Sequence, residues 1–178
     1  MLTGGHSTRM GRDKALLQVD GVAMAVRVAA AMSAAGAADV RCVGGDLTAL
    51  RVLGLTAVPD AHENEGPLAG VLAGLDSSAE LLVVIAPCDL VEPTAELFTD
   101  LVTALKASDA AAVVPIVEGR WRPLPIALRR EVARAPLAQA FAAGERAVHR
   151  AVEGLEFVAV DVGPIADADA PGDLPGHR

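Results

Sequence analysis

Met1-Leu-Thr-Gly-Gly-His-Ser-Thr-Arg-Met-Gly-Arg-Asp-Lys14 opens the chain. A short apolar start runs into paired glycines, then an arginine, a third glycine and a lysine. Gly4 and Gly5 have no Cβ, so their backbone amides can approach phosphate oxygens closely. Arg9 and Lys14 bring positive charge to the same anion. No Gly-Lys-Ser/Thr follows at Walker A spacing, and the order is not Gly-x-Gly-x-x-Gly. The segment is expected to wrap around a nucleoside triphosphate.

Outward from that segment, strand-like and helix-like stretches alternate. Val22 to Ala35 is rich in alanine and ends at Gly36, a natural helix stop. Asp39 to Val43 reads as a strand ending in Gly44-Gly45, and Leu55 to Val58 as another ending at Pro59-Asp60. Pro67 to Leu75 is a helix opened by its proline. Leu81-Leu-Val-Val-Ile-Ala86 is a continuous apolar run, the pattern of a strand buried on both faces of a parallel sheet. Pro93 to Ala107 reads as helix and Ala111 to Val117 as strand. Arg129 to Ala143 reads as a helix that Pro136 should break or divide. Phe157 to Val162 reads as a last strand. The expected fold is α/β: one Rossmann-like, three-layer domain over residues 1–178 with a mostly parallel sheet, and 163–178 as a partly loose tail. Ligands of such sheets bind beyond the carboxyl ends of the strands, where Gly4-Gly5, Gly44-Gly45, Asp60 and Asp89 all fall. Only Met1 and Leu2 precede Thr3-Gly4 where a central strand is expected. Either the start is assigned too late or the central strand is short, and the protein as written is expected to be less stable for it.

Composition narrows the function. A chain of 178 residues that is 52% hydrophobic supports a substantial core. No apolar run reaches the roughly 20 residues of a membrane span, and there is no secretory-signal pattern, so a cytoplasmic location is expected by default. Cys42 and Cys88 make no disulfide framework and read as buried thiols. The net charge of −8 argues against nucleic acid as a partner and makes the Arg9–Arg12–Lys14 cluster stand out. Aromatic residues are 2% of the chain, so a base held between stacked rings is not expected, and Trp121 reads as cover for one edge of the core.

Asp89 ends the apolar strand in Ile85-Ala-Pro-Cys-Asp89. A carboxylate there either caps the following turn or holds Mg²⁺, a hard ion that takes oxygen ligands and keeps several waters. Lys14 and Arg9 are either solvated or on phosphate, and Arg9 has a third fate in pairing with an acid. Arg12 reads as solvent-facing. His6, Ser7 and Thr8 are either donors to the ligand or ordinary loop residues. His62, His149 and His177 lack metal-ligand spacing, although His62 is placed to touch the nucleotide loop. No serine sits in a nucleophile elbow, so covalent catalysis is not expected.

Five segments taken together resemble a known family. Leu-x-Gly-Gly-x-Ser-x-Arg-Met-Gly-x-x-Lys is similar to the signature of nucleotidyltransferases that include the molybdenum cofactor guanylyltransferases. Glu65-Gly-Pro-Leu-Ala-Gly70 resembles that family's Gly-Pro-Leu-Ala-Gly loop, and Ala86-Pro-Cys-Asp89 its Pro-Cys-Asp strand end. Ala143-Gly-Glu-Arg146 and Asp169-Ala-Pro-Gly-Asp-Leu174 resemble its late Gly-Glu-Arg and Asn-Thr-Pro-Glu-Asp-Leu elements. The resemblance implies a fold of the nucleotide-diphospho-sugar-transferase type. It implies Mg²⁺-dependent transfer of GMP from GTP to molybdenum-bound molybdopterin, with release of pyrophosphate. Arg9, Lys14 and Asp89 would be catalytic, and Asp89 the metal ligand. Leu2, Thr3, Gly4, Gly5, Lys14, Asp60, Gly66, Pro67 and Asp89 would meet the nucleotide. Asp60 suits guanine, whose N1–H and N2 amino group both donate, whereas cytosine offers one amino donor on its pairing edge. A molybdoenzyme or a chaperone is a possible protein partner. Cytidylyl transfer, activation of another phosphate, and nucleotide binding without turnover are the competing readings. The chain departs from the family at Asp167 and Asp169, where asparagines are usual. These acids either add a metal ligand or remain solvated. Val43-Gly44 stands where a further asparagine is usual.

Overall fold

The computed structural model describes residues 1–4, 13–62 and 65–166. A 3-10 turn (Lys14–Leu16) leads into a small hairpin of β1 (Gln18–Val19) and β2 (Val22–Ala23), then α1 (Met24–Ala34). There follow β3 (Arg41–Val43), α2 (Leu47–Val52), β4 (Thr56–Val58), α3 (Pro67–Ser77), β5 (Leu82–Ile85) and α4 (Ala95–Lys106). The chain continues through β6 (Ala112–Val117), β7 (Arg120–Trp121), β8 (Ile126–Arg129), α5 (Arg130–Ala142), α6 (Val148–Glu153) and β9 (Phe157–Asp161).

Leu2 joins two blocks of strands. It makes parallel bridges to Val43 on one side and Pro87 on the other. Its amide donates to the Ala86 carbonyl at 2.8 Å, and the Val43 amide donates to the Met1 carbonyl at 2.9 Å. Beyond Val43 lie β3 and β4, paired in parallel. Beyond Pro87 lies β5, then β8 and β6, both pairings antiparallel, then β9 parallel to β6. The central strand is therefore reduced to one bridging residue. Because Leu2, β3, β4 and the end of β5 run the same way, Gly4, Gly44, Asp60 and Asp89 emerge at one rim.

The sheet is mixed rather than mostly parallel, and the cause is a hairpin. Val117 pairs with Arg120 across Glu118-Gly119, whose φ angles of 52° and 75° suit a two-residue turn. The returning chain slots β8 between β5 and β6, and the return direction makes both contacts antiparallel. β8 is an inner strand: Ile126, Ala127 and Leu128 are fully buried, as are Ala112, Val113 and Val114 of β6, while in β5 only Ile85 is. A second turn of the same kind, Asp20-Gly21 with φ 51° and 79°, pairs Val19 with Val22. That pairing delays the expected helix at Val22 to Met24.

Residues alternate across the sheet between two cores. Cys42, Ala86, Val113 and Ala127 pack with Val28 and Met32 of α1, Leu50 of α2, and Phe98 and Leu101 of α4. Ile85, Ala112, Val114, Ile126 and Leu128 pack with Leu68 and Leu75 of α3, Leu137 of α5 and Val152 of α6. Helices thus cover both faces, as the alternation of elements implies. At α3 the approach is close: a Cβ on Gly70 would lie 3.1 Å from Leu2 Cδ2, and one on Gly74 only 2.6 Å from Ile85 Cδ1.

Two neighbouring arginines close helix ends. The Arg129 guanidinium donates to the carbonyls of Leu105 and Ser108 at 2.6 Å each and of Ala110 at 3.1 Å, and Arg130 Nε donates to Leu75 at 3.1 Å. They satisfy carbonyls left over at the ends of α4 and α3. Pro136 does not break α5, which runs unbroken through it. The carbonyl that loses its helical donor is that of Val132, whose side chain is exposed, and water can supply the bond. The first part of the expected tail is tied down: Val91 N donates to the Ala166 carbonyl at 2.9 Å, and Ile165 packs on the first core.

Candidate active site

The rim is built from backbone meeting backbone. The amides of Thr3 and Gly4 both donate to the Val43 carbonyl at 3.0 Å. Gly44 and Gly45 have φ of 75° and 77°, a region that favours glycine. A Cβ on Gly44 would lie 3.0 Å from Gly4 Cα and 3.5 Å from Asp60 Cβ. A Cβ on Gly45 would lie 2.7 Å from the Thr3 carbonyl oxygen and 3.2 Å from Asp13 Oδ2. Three strand ends are therefore pressed together where a side chain has no room. Gly45→Ala is expected to cost roughly 2 kcal/mol or more, from the strained φ and the clash with a backbone carbonyl. Urea unfolding measures this, and an unchanged midpoint would contradict the packing.

Asp13 fixes the approach of Lys14. Its Oδ1 accepts from Ala15 N at 3.0 Å, capping the 3-10 turn, and its Oδ2 accepts from Asp46 N at 3.3 Å. Ala15 is fully buried, which anchors the turn. Lys14 Nζ then lies 2.9 Å from Asp89 Oδ2, and both side chains are 20% exposed. An ammonium and a carboxylate from segments 75 residues apart thus meet at the rim. Asp89 Oδ1 makes no hydrogen bond among the described residues. Asp60 holds the turn after β4, its Oδ1 accepting from His62 N at 2.9 Å.

Several of the expected nucleotide contacts are modified by this geometry. The Leu2 amide is engaged by Ala86 and the Gly4 amide by Val43, so neither N–H is left for phosphate. What Gly4 contributes is close passage of the backbone. Thr3 is 3% exposed, and its hydroxyl lies 2.8 Å from the Gly44 carbonyl and 3.1 Å from that of Val43. Its side chain braces the rim. Gly5, Arg9, Arg12 and the loop residues His6, Ser7 and Thr8 lie outside the described residues, as do Asp167 and Asp169. Gly66 (φ 93°) precedes Pro67 at the start of α3, and a Cβ there would lie 3.1 Å from Arg146 Cβ. Gly45 was expected at the rim from its place at the end of a strand, whereas Asp13 had no expected role. The signal for Asp13 was an acid immediately before the lysine, placed to cap the next turn.

Cys88, between Pro87 and Asp89, is 8% exposed, and burial, with the nearby charges of Asp89 and Asp13, pushes its thiol up to about 12. Burial raises the Cys42 thiol as well. Both are free and stay protonated at neutral pH, so neither is a nucleophile. Both are expected to resist iodoacetamide at pH 8 and to react on unfolding in guanidinium. Fast native labelling of Cys88 would contradict this.

A family model described as a MobA-like NTP transferase domain matches residues 1–157. The chain belongs to the MobA-like NTP transferase family. It is 38% identical over 179 aligned residues to a molybdenum cofactor guanylyltransferase of Burkholderia vietnamiensis, across 88% of this chain and 84% of that protein. The fold is shared with the molybdopterin-guanine dinucleotide biosynthesis protein A of Archaeoglobus fulgidus (TM-score 0.72, 23% identity, 90% of this chain and 81% of that one). It is shared too with the 2-C-methyl-D-erythritol 4-phosphate cytidylyltransferase of Thermus thermophilus (TM-score 0.69, 20% identity, 97% and 93%). The protein is a nucleotidyltransferase of α/β fold. Since a cytidylyltransferase has the same architecture, the fold does not select the base. Among the described residues no helix is long and apolar enough to cross a membrane.

Proposed function

We propose that this MobA-like nucleotidyltransferase moves GMP from GTP to a molybdopterin-type acceptor and releases pyrophosphate. The observation that carries the proposal is the meeting of Lys14 with Asp89 at the rim that also holds Gly4, Gly44 and Asp60. The name of the Burkholderia relative supports the choice of base and acceptor.

The chemistry is an in-line displacement. A phosphate oxygen of the acceptor forms a bond to the α-phosphorus of GTP as the bond to pyrophosphate breaks. The acceptor phosphate is ionised near neutral pH, so no general base is required. The work of the protein is positioning and charge stabilisation. Lys14, with Arg9, stabilises the phosphates and the departing pyrophosphate. The crowded glycine backbones of Gly4 and Gly44 let the nucleotide lie close to the strand ends. Asp60 faces the guanine edge, and the Gly66-Pro67 turn borders it.

Asp89 is the residue that would hold a divalent cation, and its hard carboxylate oxygen suits Mg²⁺. No group of three potential ligands lies together among the described residues, so waters and substrate phosphates would complete the shell. That is the usual manner of Mg²⁺ at nucleotides. When bound, such an ion neutralises charge on the phosphate oxygens. A cytoplasmic setting belongs to the same proposal and is supported by the two free thiols. So does a molybdoenzyme or chaperone that receives the product.

Titration calorimetry with GTP, CTP, ATP and UTP in Mg²⁺, followed by pyrophosphate release with the pterin acceptor, tests the proposal. GTP is expected to bind best, and release to depend on acceptor. Preference for CTP would make the protein a cytidylyltransferase. Tight GTP binding without release would make it a binding protein.

A further inference from the structure

The transfer described above uses no residue of Gly144-Glu145-Arg146, yet the segment is built against the turn at Glu65-Gly66. The Arg146 guanidinium lies 4.1 Å from the centroid of the Phe141 ring. Its Nη1 donates to the Phe141 carbonyl at 2.8 Å and to the Glu145 carbonyl at 2.9 Å, while Nη2 donates to Glu65 Oε2 at 3.3 Å. The other oxygen of Glu65 lies 3.3 Å from His62 Nδ1, and the His62 ring sits 5.2 Å from that of Phe141. Glu65 thus has a neighbour at each oxygen, Arg146 on one side and His62 on the other.

The backbone of Arg146 is fixed with equal care. Glu145 Oε1 accepts from the amides of Arg146 and Ala147 at 2.8 Å each, which holds the Glu145 carboxyl below its ordinary range. The Arg146 carbonyl accepts from Leu68 N, in the first turn of α3, at 3.2 Å. Gly66 packs so tightly on Arg146 that a Cβ there would sit 3.1 Å from Arg146 Cβ and 3.3 Å from its carbonyl oxygen. One residue therefore contacts the turn through its backbone, its Cβ and its guanidinium.

We propose that Arg146 is a positioning residue for the nucleotide base: it clamps Glu65 and Gly66 so that the Gly66-Pro67 turn stays in place opposite Asp60. The clamp rests on the guanylyl-transfer reading above, because the base is what that turn borders. The Glu65 ion pair alone would not suffice, since both partners are more than 40% exposed and such pairs contribute little. The weight falls on the stacked, forked guanidinium, a geometry that lysine cannot reproduce.

The test uses Arg146→Met, Arg146→Lys and Glu65→Gln in the full chain. Arg146→Met is expected to weaken GTP binding and raise its KM about tenfold, to leave kcat within about twofold, and to narrow the preference for GTP over CTP. Arg146→Lys should recover only a small part, and Glu65→Gln should cost less than Arg146→Met and not add to it. Arg146→Lys keeps the long stem over Phe141 and serves if the methionine variant does not fold. Folded variants with unchanged GTP affinity and base preference would overturn the clamp, as would a fall in kcat at unchanged affinity. If the wild-type chain prefers another triphosphate, the guanylyl reading fails, and the same variants tested with that triphosphate still decide the clamp.

Discussion

Asp89→Ala is expected to lower metal-dependent nucleotidyl transfer by a factor on the order of 10³ or more, while the melting temperature moves by only a few degrees. The carboxylate lies at the end of a strand whose buried neighbours, Ile85 and Ala86, are untouched by the change. Its one hydrogen bond among the described residues is to Lys14. Removing this partly buried ion pair costs about 1 kcal/mol, which for a chain of this size is roughly 2–4 °C. Activity and stability are thus expected to part company at this position. Measuring pyrophosphate release beside thermal melting checks both halves. Full activity in the variant would remove Asp89 from the metal site, and a large loss of stability would make it a structural residue instead.

Lys14→Met is expected to reduce the rate by about 10²–10³, the range for losing one preorganised charge at a transition state. The effect should fall on kcat more than on stability. Methionine keeps the stem of the side chain, and the 3-10 turn is capped by Asp13 and anchored by Ala15 rather than by the ammonium. Loss of the cation also leaves Asp89 and Asp13 at the rim without it, so weaker binding of the triphosphate is expected as well. A rate within twofold of wild type would remove Lys14 from the mechanism.

The parts of this molecule that were legible in the sequence are those carried by local rules. Pro67 at a helix start, the apolar run at Leu81–Ala86 and the strand ending in Val43-Gly44-Gly45 each follow from propensity or pattern. So did the gathering of Gly4, Asp60 and Asp89 on one rim, since strand polarity dictates it. What was not legible depends on partners distant in sequence. β8 carries four residues, too few to show a period, and only the neighbouring strands reveal that Ile126, Ala127 and Leu128 form a fully buried inner strand. The Asp20-Gly21 and Glu118-Gly119 turns were readable in principle, because paired positive φ angles favour such dipeptides. Pro136 misled because the lost hydrogen bond falls beside the exposed Val132, where water can take the donor's place, and the helix runs on through it. At the site, the Gly4 amide looked available for phosphate because nothing local shows that Val43 takes it.

The amino-terminal segment and Asp89 are expected to act on one triphosphate. The most direct measurement is a crystal structure with GTP and Mg²⁺ bound. The expected arrangement has the metal on Asp89, the triphosphate beside Lys14, and guanine between Asp60 and the Gly66-Pro67 turn. A triphosphate bound away from Lys14, or a metal held by residues other than Asp89, would contradict it.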